Sequence, residues 1–275
     1  MNNMSQNEKP WTEVTISSWS WFDEQLDRLK PREWLFRGHS NSSWDLKTSL
    51  NRLFDDAQVI IRNAKNKDRT FAKKIHEELL IKTFQKNANL FLKFLPDYSK
   101  RLEWLAIMQH YGTPTRLLDV TLSPHIATFF ALEEGLKDSC VFAFNHAEIK
   151  NINKTILKKE TYKETHTDVF IGNEPFITVF DPEFGNERLV PQKGLFLVAS
   201  RVDEPFEDML ASYQQFTNDE ICIKFIIPAK LRFSGLERLK RMNITSATLF
   251  PGIDGFSRSL KFQVLETTQS QKLLE

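Results

Sequence analysis

Apolar residues recur at helical spacing through most of the first half of the chain. SSWSWFDEQLDRL (17–29) carries such a face behind a serine suited to cap a helix. Segments 47–65 and 69–95 are charged on one side and apolar on the other, so both read as amphipathic helices. A further helix is expected over 99–111, stopped by Gly112 and Pro114. Another is expected over 122–136, with Ser123 as cap and Pro124 in its first turn. Against these, WLFRG (34–38) and LLDVT (117–121) are short apolar runs of strand character.

The pattern then changes. CVFAFN (140–145), PFITVF (175–180), GLFLVAS (194–200) and ICIKFIIP (221–228) are β-branched and aromatic runs bounded by polar or Gly/Pro turns. Residues 147–168 are Lys- and Thr-rich and are expected to form a surface excursion. Helical spacing returns over 229–243, and 259–266 fits either a helix or a strand. A helix-rich front and a strand-rich back without regular alternation predict an α+β fold. The expected arrangement is a single domain, its helical N-terminal half packed on a mostly antiparallel β-sheet. Residues 1–16 are expected to be flexible, 17–266 to form the domain, and 267–275 to form a tail.

Composition narrows the function classes. The chain has 275 residues, 41% of them apolar, with 23 Phe, enough for a largely aromatic core. Its formal net charge of +1 removes the basic excess of a general nucleic-acid binder. The two cysteines, Cys140 and Cys222, sit in apolar runs and read as buried thiols without metal-ligand spacing. The first residues lack the pattern of a signal peptide, and no apolar run approaches the roughly 20 residues that span a bilayer. A cytoplasmic protein with no membrane role is expected.

Four clusters carry candidate chemistry. In FRGHSNSSW (36–44), Arg37 emerges where an apolar strand meets a glycine. Its guanidinium fork suits a phosphate or a carboxylate, or else ties a loop to a structural partner. His39 adds a titratable neighbour. In QHYGTPTRLLDVT (109–121), His110 and Tyr111 sit at a helix end, and Arg116 and Asp119 are spaced to pair with each other. Alternatively, Asp119 or Thr121 faces a pocket floor. NERLVPQKGLFLV (186–198) places Glu187, Arg188 and Gln192 ahead of a strand, and TLFPGIDGF (248–256) holds two glycine turns. No GxGxxG, GxxxxGK[ST] or GxSxG pattern is present.

Together these clusters resemble the FRG domain family, named for Phe36-Arg37-Gly38. The QHYG-PTRLLD-T run at 109–121, SPHIATFFA at 123–131, the R-(x)3-Q-x-G run from Arg188 to Gly194, and LFPxxDG at 249–255 follow in order. The resemblance spans roughly 17–262.

A second resemblance is to the ADP-ribosyltransferase fold, with its split β-sheet. There an aromatic-Arg-Gly strand, an STS strand leading into a helix, and a Glu before a late strand occur in this order. Thr121 matches the third STS position and Asp119 stands where the first serine would be. Ala127 and Phe130 match the helix that follows, and Glu187 falls at the catalytic Glu. This resemblance implies an enzyme that uses NAD as a substrate and modifies a macromolecular acceptor, protein or nucleic acid. A toxin or phage-defence effector with a neutralising partner fits that class. Arg37, Gly38, His39, His110, Tyr111 and Arg116 would contact NAD, with Tyr111 stacking on a ring. Arg37, Asp119, Thr121, Glu187 and Gln192 would carry the chemistry. Two alternatives stay open. One is a nucleotide- or phosphate-binding module without turnover. The other is a metal-dependent nuclease or hydrolase using His39, His110 and Asp119.

Overall fold

A computed structural model describes residues 9–60, 69–134, 136–155, 158, 169–171, 175–183 and 187–272. The strands are Thr12–Thr15 (β1), Trp34–His39 (β2), Leu117–Thr121 (β3), Ser139–Asn145 (β4), Ile177–Phe180 (β5), Gly194–Ala199 (β6) and Cys222–Ile227 (β7). They form one sheet in the order β1-β7-β4-β2-β3-β6-β5. Among the described residues only the β1–β7 pair is parallel, so the mostly antiparallel sheet expected from the sequence is present.

The helices are Trp19–Arg28 (α1), Ser49–Ile60 (α2), Arg69–Ala88 (α3), Arg101–His110 (α4), Pro124–Leu132 (α5) and His146–Thr155 (α6). Leu189–Gln192 (α7), Phe206–Gln214 (α8), Arg232–Arg241 (α9), Ser246–Leu249 (α10) and Ile253–Lys272 (α11) follow. Local signals account for several ends. Ser18 and Ser123 cap α1 and α5 by accepting from Trp21 N and Ile126 N, and Gly112 at φ 81° turns the chain after α4.

The sheet is covered on both faces. On β4, Val141 and Ala143 pack with Phe22, Ile126, Phe129 and Leu236. The alternate residues Cys140, Phe142 and Phe144 pack with Ile149, Ile152, Phe206 and Leu210. A strand buried on both faces has no polar alternation, which is why CVFAF reads as a continuous apolar run. A third cluster joins α3 and α4 to β3, β5 and β6 through Ile81, Leu105, Met108, Leu117, Phe180 and Phe196.

One join in the sheet differs from the rest. β2 pairs with β4 along six residues and β3 with β6 along five, but β2 and β3 share a single register pair, Phe36–Thr121. The ladder is shortest there, where a four-stranded and a three-stranded part of the one sheet meet.

The structure corrects four expectations. Residues 12–15, assigned to a flexible terminus, form β1, paired with β7 through Thr12–Ile223 to Thr15–Ile226. Residues 1–8 lie outside the described residues. Of the expected surface excursion at 147–168, residues through 155 belong to α6, whose Ile149, Ile152 and Asn153 are buried. Most of the remainder lies outside the described residues. α11 continues through Lys272, across the expected tail boundary at 266, because the segment keeps helical spacing. Finally, α8 forms in a stretch for which no element was expected; Phe206, Met209, Leu210 and Tyr213 supply its buried face.

Candidate functional site

The split between β2 and β3 opens into a cleft of about 800 Å³. β2 supplies Arg37, Gly38 and His39; β3 supplies Asp119 and Thr121; Gln192 enters from the end of α7. These residues are distant in sequence and meet because β3 lies between β2 and β6. The far wall comes from residues 44–56, including Trp44, Lys47 and Arg52.

Arg37 takes over where the strand ladder stops. Its Nη1 donates to the backbone oxygen of Asp119 at 2.7 Å and lies 3.6 Å from Asp119 Oδ2. Its Nε donates to His39 Nε2 at 3.0 Å. Nη2 has no hydrogen-bond partner among the described residues, and 17% of the side chain is exposed. Burial lowers the Arg37 pKa, with Asp119 opposing and Arg52 adding to the effect. His39 is pushed down to about 3, first by burial and then by Arg37, Arg52 and Lys224. It is therefore neutral at physiological pH and free to accept from Arg37. With Nε2 accepting, its proton sits on Nδ1, which is buried without a partner among the described residues; the ring stands edge-on to Phe142 at 5.2 Å.

Asp119 is held from a second side. Gln109 Nε2 donates to Asp119 Oδ2 at 2.9 Å, and Gln109 Oε1 accepts from Thr115 Oγ1 at 2.6 Å. Ser49 Oγ in turn accepts from Thr115 N at 2.9 Å. Gln109 and Thr115 of the QHYGTPTRLLD run thus orient the Asp119 carboxylate. Thr121 is committed to backbone: its hydroxyl donates to the Gln192 carbonyl at 2.7 Å and accepts from Ser123 N at 3.1 Å. It pins α7 and the start of α5 to the end of β3. Gln192 Nε2 donates to Leu249 O at 3.0 Å, and Arg188 lies 3.6 Å from Asp254. The R-(x)3-Q-x-G and LFPxxDG motifs therefore belong together as one latch. Gln192 Oε1 has no partner among the described residues.

Gly38 has a steric reason. A Cβ there would lie 2.0 Å from Ala127 O and 2.6 Å from Ala131 N. α5 rests directly on the β2 backbone, one residue beyond Arg37.

These observations decide where the chain stands among known proteins. The family model described as FRG domain matches residues 32–140. Over those residues the chain is similar to the FRG domain. The match takes in Arg37, Asp119 and Thr121 and stops before Gln192 and the 249–255 latch. Comparisons with curated proteins and with solved structures gave no match.

Four expected site residues lie away from the FRG cleft. Arg116 does not pair with Asp119 and faces no ligand space. It is 4% exposed, forms a two-pronged pair with Glu77, and donates to the carbonyls of Val169, Ala199 and Ser200. These five hydrogen bonds commit the guanidinium to packing α3 onto the sheet. His110 and Tyr111 contact each other at 4.8 Å at the end of α4 and do not line the cleft. Burial, then Arg188, lowers the His110 pKa, with Glu187 opposing. Glu187 is exposed beside that pair and is not among the cleft residues.

Sequence reasoning missed the wall formed by 44–56. Trp44 is 55% exposed at the cleft, 6.3 Å from the His39 ring. It offers the aromatic face expected of Tyr111. Lys47 is bracketed by Asp45 at 2.9 Å and Asp55 at 3.2 Å. Trp44 ends the FRGHSNSSW cluster, which was its only signal. The two thiols take no part: burial pushes Cys140 up to about 12 and Cys222 well above its ordinary range. Among the described residues, no group of three or more His, Cys, Asp or Glu is placed to hold a metal, and no helix is long and apolar enough to cross a membrane.

Proposed function

We propose that the chain is an ADP-ribosyltransferase-like enzyme that uses NAD as a substrate and modifies a macromolecular acceptor. The observation that carries this reading is the meeting of Arg37, Asp119 and Gln192 in one cleft at the split of the sheet. The cleft volume of about 800 Å³ lies in the range of small-molecule sites, roughly 300–1,000 Å³. Arg37 has an unpaired Nη2 for a phosphate or ribose oxygen, and Trp44 has a face for a nucleobase or nicotinamide ring.

The acidic role passes from Glu187 to Asp119. As the bond between ribose C1′ and the nicotinamide nitrogen breaks, positive charge grows on the sugar and neutral nicotinamide leaves. A fixed carboxylate facing C1′ stabilises that charge without reorganising, and Gln109 and Arg37 fix this one. The acceptor nucleophile then bonds to C1′ and gives up its proton. Gln192 Oε1 is available to a ribose hydroxyl.

A second reading, nucleotide binding without turnover, is favoured by one observation: Glu187, the residue at the catalytic Glu position of the resemblance, stands outside the cleft. Incubation with nicotinamide-labelled NAD and candidate protein, DNA and RNA acceptors separates the two. The enzyme reading expects nicotinamide release that Asp119→Asn abolishes. NAD that binds and is recovered intact with every acceptor supports the second reading and rejects the first.

A further inference from the structure

A second cavity, of about 260 Å³, lies where α5, α9, α10 and α11 meet. It is separate from the cleft: Phe129 lines this cavity, whereas Ala127 and Phe130 of the same helix line the cleft. Phe129, Leu236 and Ile244 give it apolar walls. Four cations, Arg232, Lys240, Arg258 and Lys261, face two carboxylates, Glu133 and Glu134.

Two of these cations, Arg258 and Lys261, are left without an ion pair among the described residues. Arg232 spends Nε and Nη2 on the last carbonyls of α5, Leu132 O at 2.7 Å and Glu133 O at 2.8 Å. Glu133 accepts from Ser246 Oγ at 2.9 Å. Burial raises the Glu133 pKa, opposed by the Ser246 bond and, through space, by Arg258 and Lys261. Arg258 lies over the Phe250 ring at 4.3 Å and forms no ion pair among the described residues, and neither does Lys261. A small hollow with apolar walls and unpaired cations matches a molecule that is apolar at one end and anionic at the other.

We propose that this second cavity is a binding site for a small organic carboxylate with an aromatic or branched apolar body. The apolar part would occupy the space between Phe129, Leu236 and Ile244, with the carboxylate toward Arg258 and Lys261. The site is independent of the NAD reading and stands or falls without it.

The test is a fluorine NMR titration of the full chain with para-trifluoromethylbenzoate, with the neutral para-trifluoromethylbenzamide as control. Saturable broadening is expected for the benzoate at sub-millimolar concentration. The amide is expected to bind at least about tenfold more weakly, since it lacks the charge-assisted contacts. The double variant Arg258→Glu/Lys261→Glu changes two exposed side chains and is expected to lose at least about tenfold in benzoate affinity at unchanged melting temperature. Ile244→Trp, which fills the cavity, is expected to block binding; if it fails to fold, Lys261→Glu alone serves as the second variant. No saturable binding, equal binding of the amide, or full affinity in the folded charge-reversed variant would overturn the proposal.

Discussion

Gly38→Ala adds one methyl group at the closest approach between α5 and the sheet. The new carbon would sit 2.0 Å from Ala127 O, 2.6 Å from Ala131 N and 3.1 Å from Ala127 C. Carbon contacts relax near 3.5–4.0 Å, so α5 must retreat by more than about 1 Å to clear it. The clashing atoms are backbone, so no rotamer change relieves them. α5 also buries Ile126, Ala127, Phe129, Ala131 and Leu132, and moving it disturbs all of these contacts. Overpacking of this kind costs about 1–3 kcal/mol, and a rigid backbone obstacle on the helix places Gly38→Ala near about 3 kcal/mol. Urea unfolding followed by tryptophan fluorescence and circular dichroism should show the midpoint falling at constant m-value. Adding Ala127→Gly should not restore stability, because the obstruction at residue 127 is its carbonyl. A loss under about 1 kcal/mol, or full rescue by Ala127→Gly, would refute the claim that backbone contact dictates glycine here.

Three further outcomes follow from the same structure. Glu77→Gln leaves Arg116 charged and buried without a counter-ion; stability should fall by about 3–5 kcal/mol in urea melts, while Glu77→Leu/Arg116→Met should recover much of it. His39 has a folded pKa of about 3 against an ordinary 6.5, so the folded state resists its protonation. Its contribution is intact above pH 6.5 and is lost as pH falls toward 3, at up to about 1.4 kcal/mol per pH unit. His39→Gln should flatten the stability profile below pH 6.5 relative to wild type, whereas an unchanged difference between pH 7 and pH 4 would contradict it. If the proposed NAD chemistry holds, Gln109→Leu, which frees the Asp119 carboxylate, should lower nicotinamide release by roughly tenfold or more while the melting temperature shifts little. Equal turnover in that variant would show that Asp119 needs no positioning.

Much of the fold was legible where residues pattern strongly over short range. WLFRG, LLDVT, CVFAFN and ICIKFII all form strands, because each is a dense apolar run and each is buried on arrival. β1 escaped notice because TEVT is short and polar; its strand character comes from the ladder with β7, more than two hundred residues away. The polar spacing of HAEIKNINKT hid Ile149 and Ile152, which anchor α6.

At the site, the candidate residues on strands meet at one opening and those on turns or helix ends do not. Arg37, Asp119 and Thr121 alternate along β2 and β3, so strand pairing carries them to the same opening. His110, Tyr111 and Glu187 sit at helix ends or in a turn, where sequence gives no direction for the side chain. Arg116 looked available because its partner Glu77 lies on another helix with no local link to it. The wall at 44–56 was invisible because its alternating charges are those of a solvated surface.

The account rests on Arg37 gripping NAD at the opening between β2 and β3. Isothermal titration with NAD on wild type and Arg37→Ala tests this most directly. Saturable binding is expected for the wild-type chain, weakened at least about tenfold in Arg37→Ala, with circular dichroism confirming that the variant is folded. No binding by wild type, or equal affinity in the variant, would contradict it.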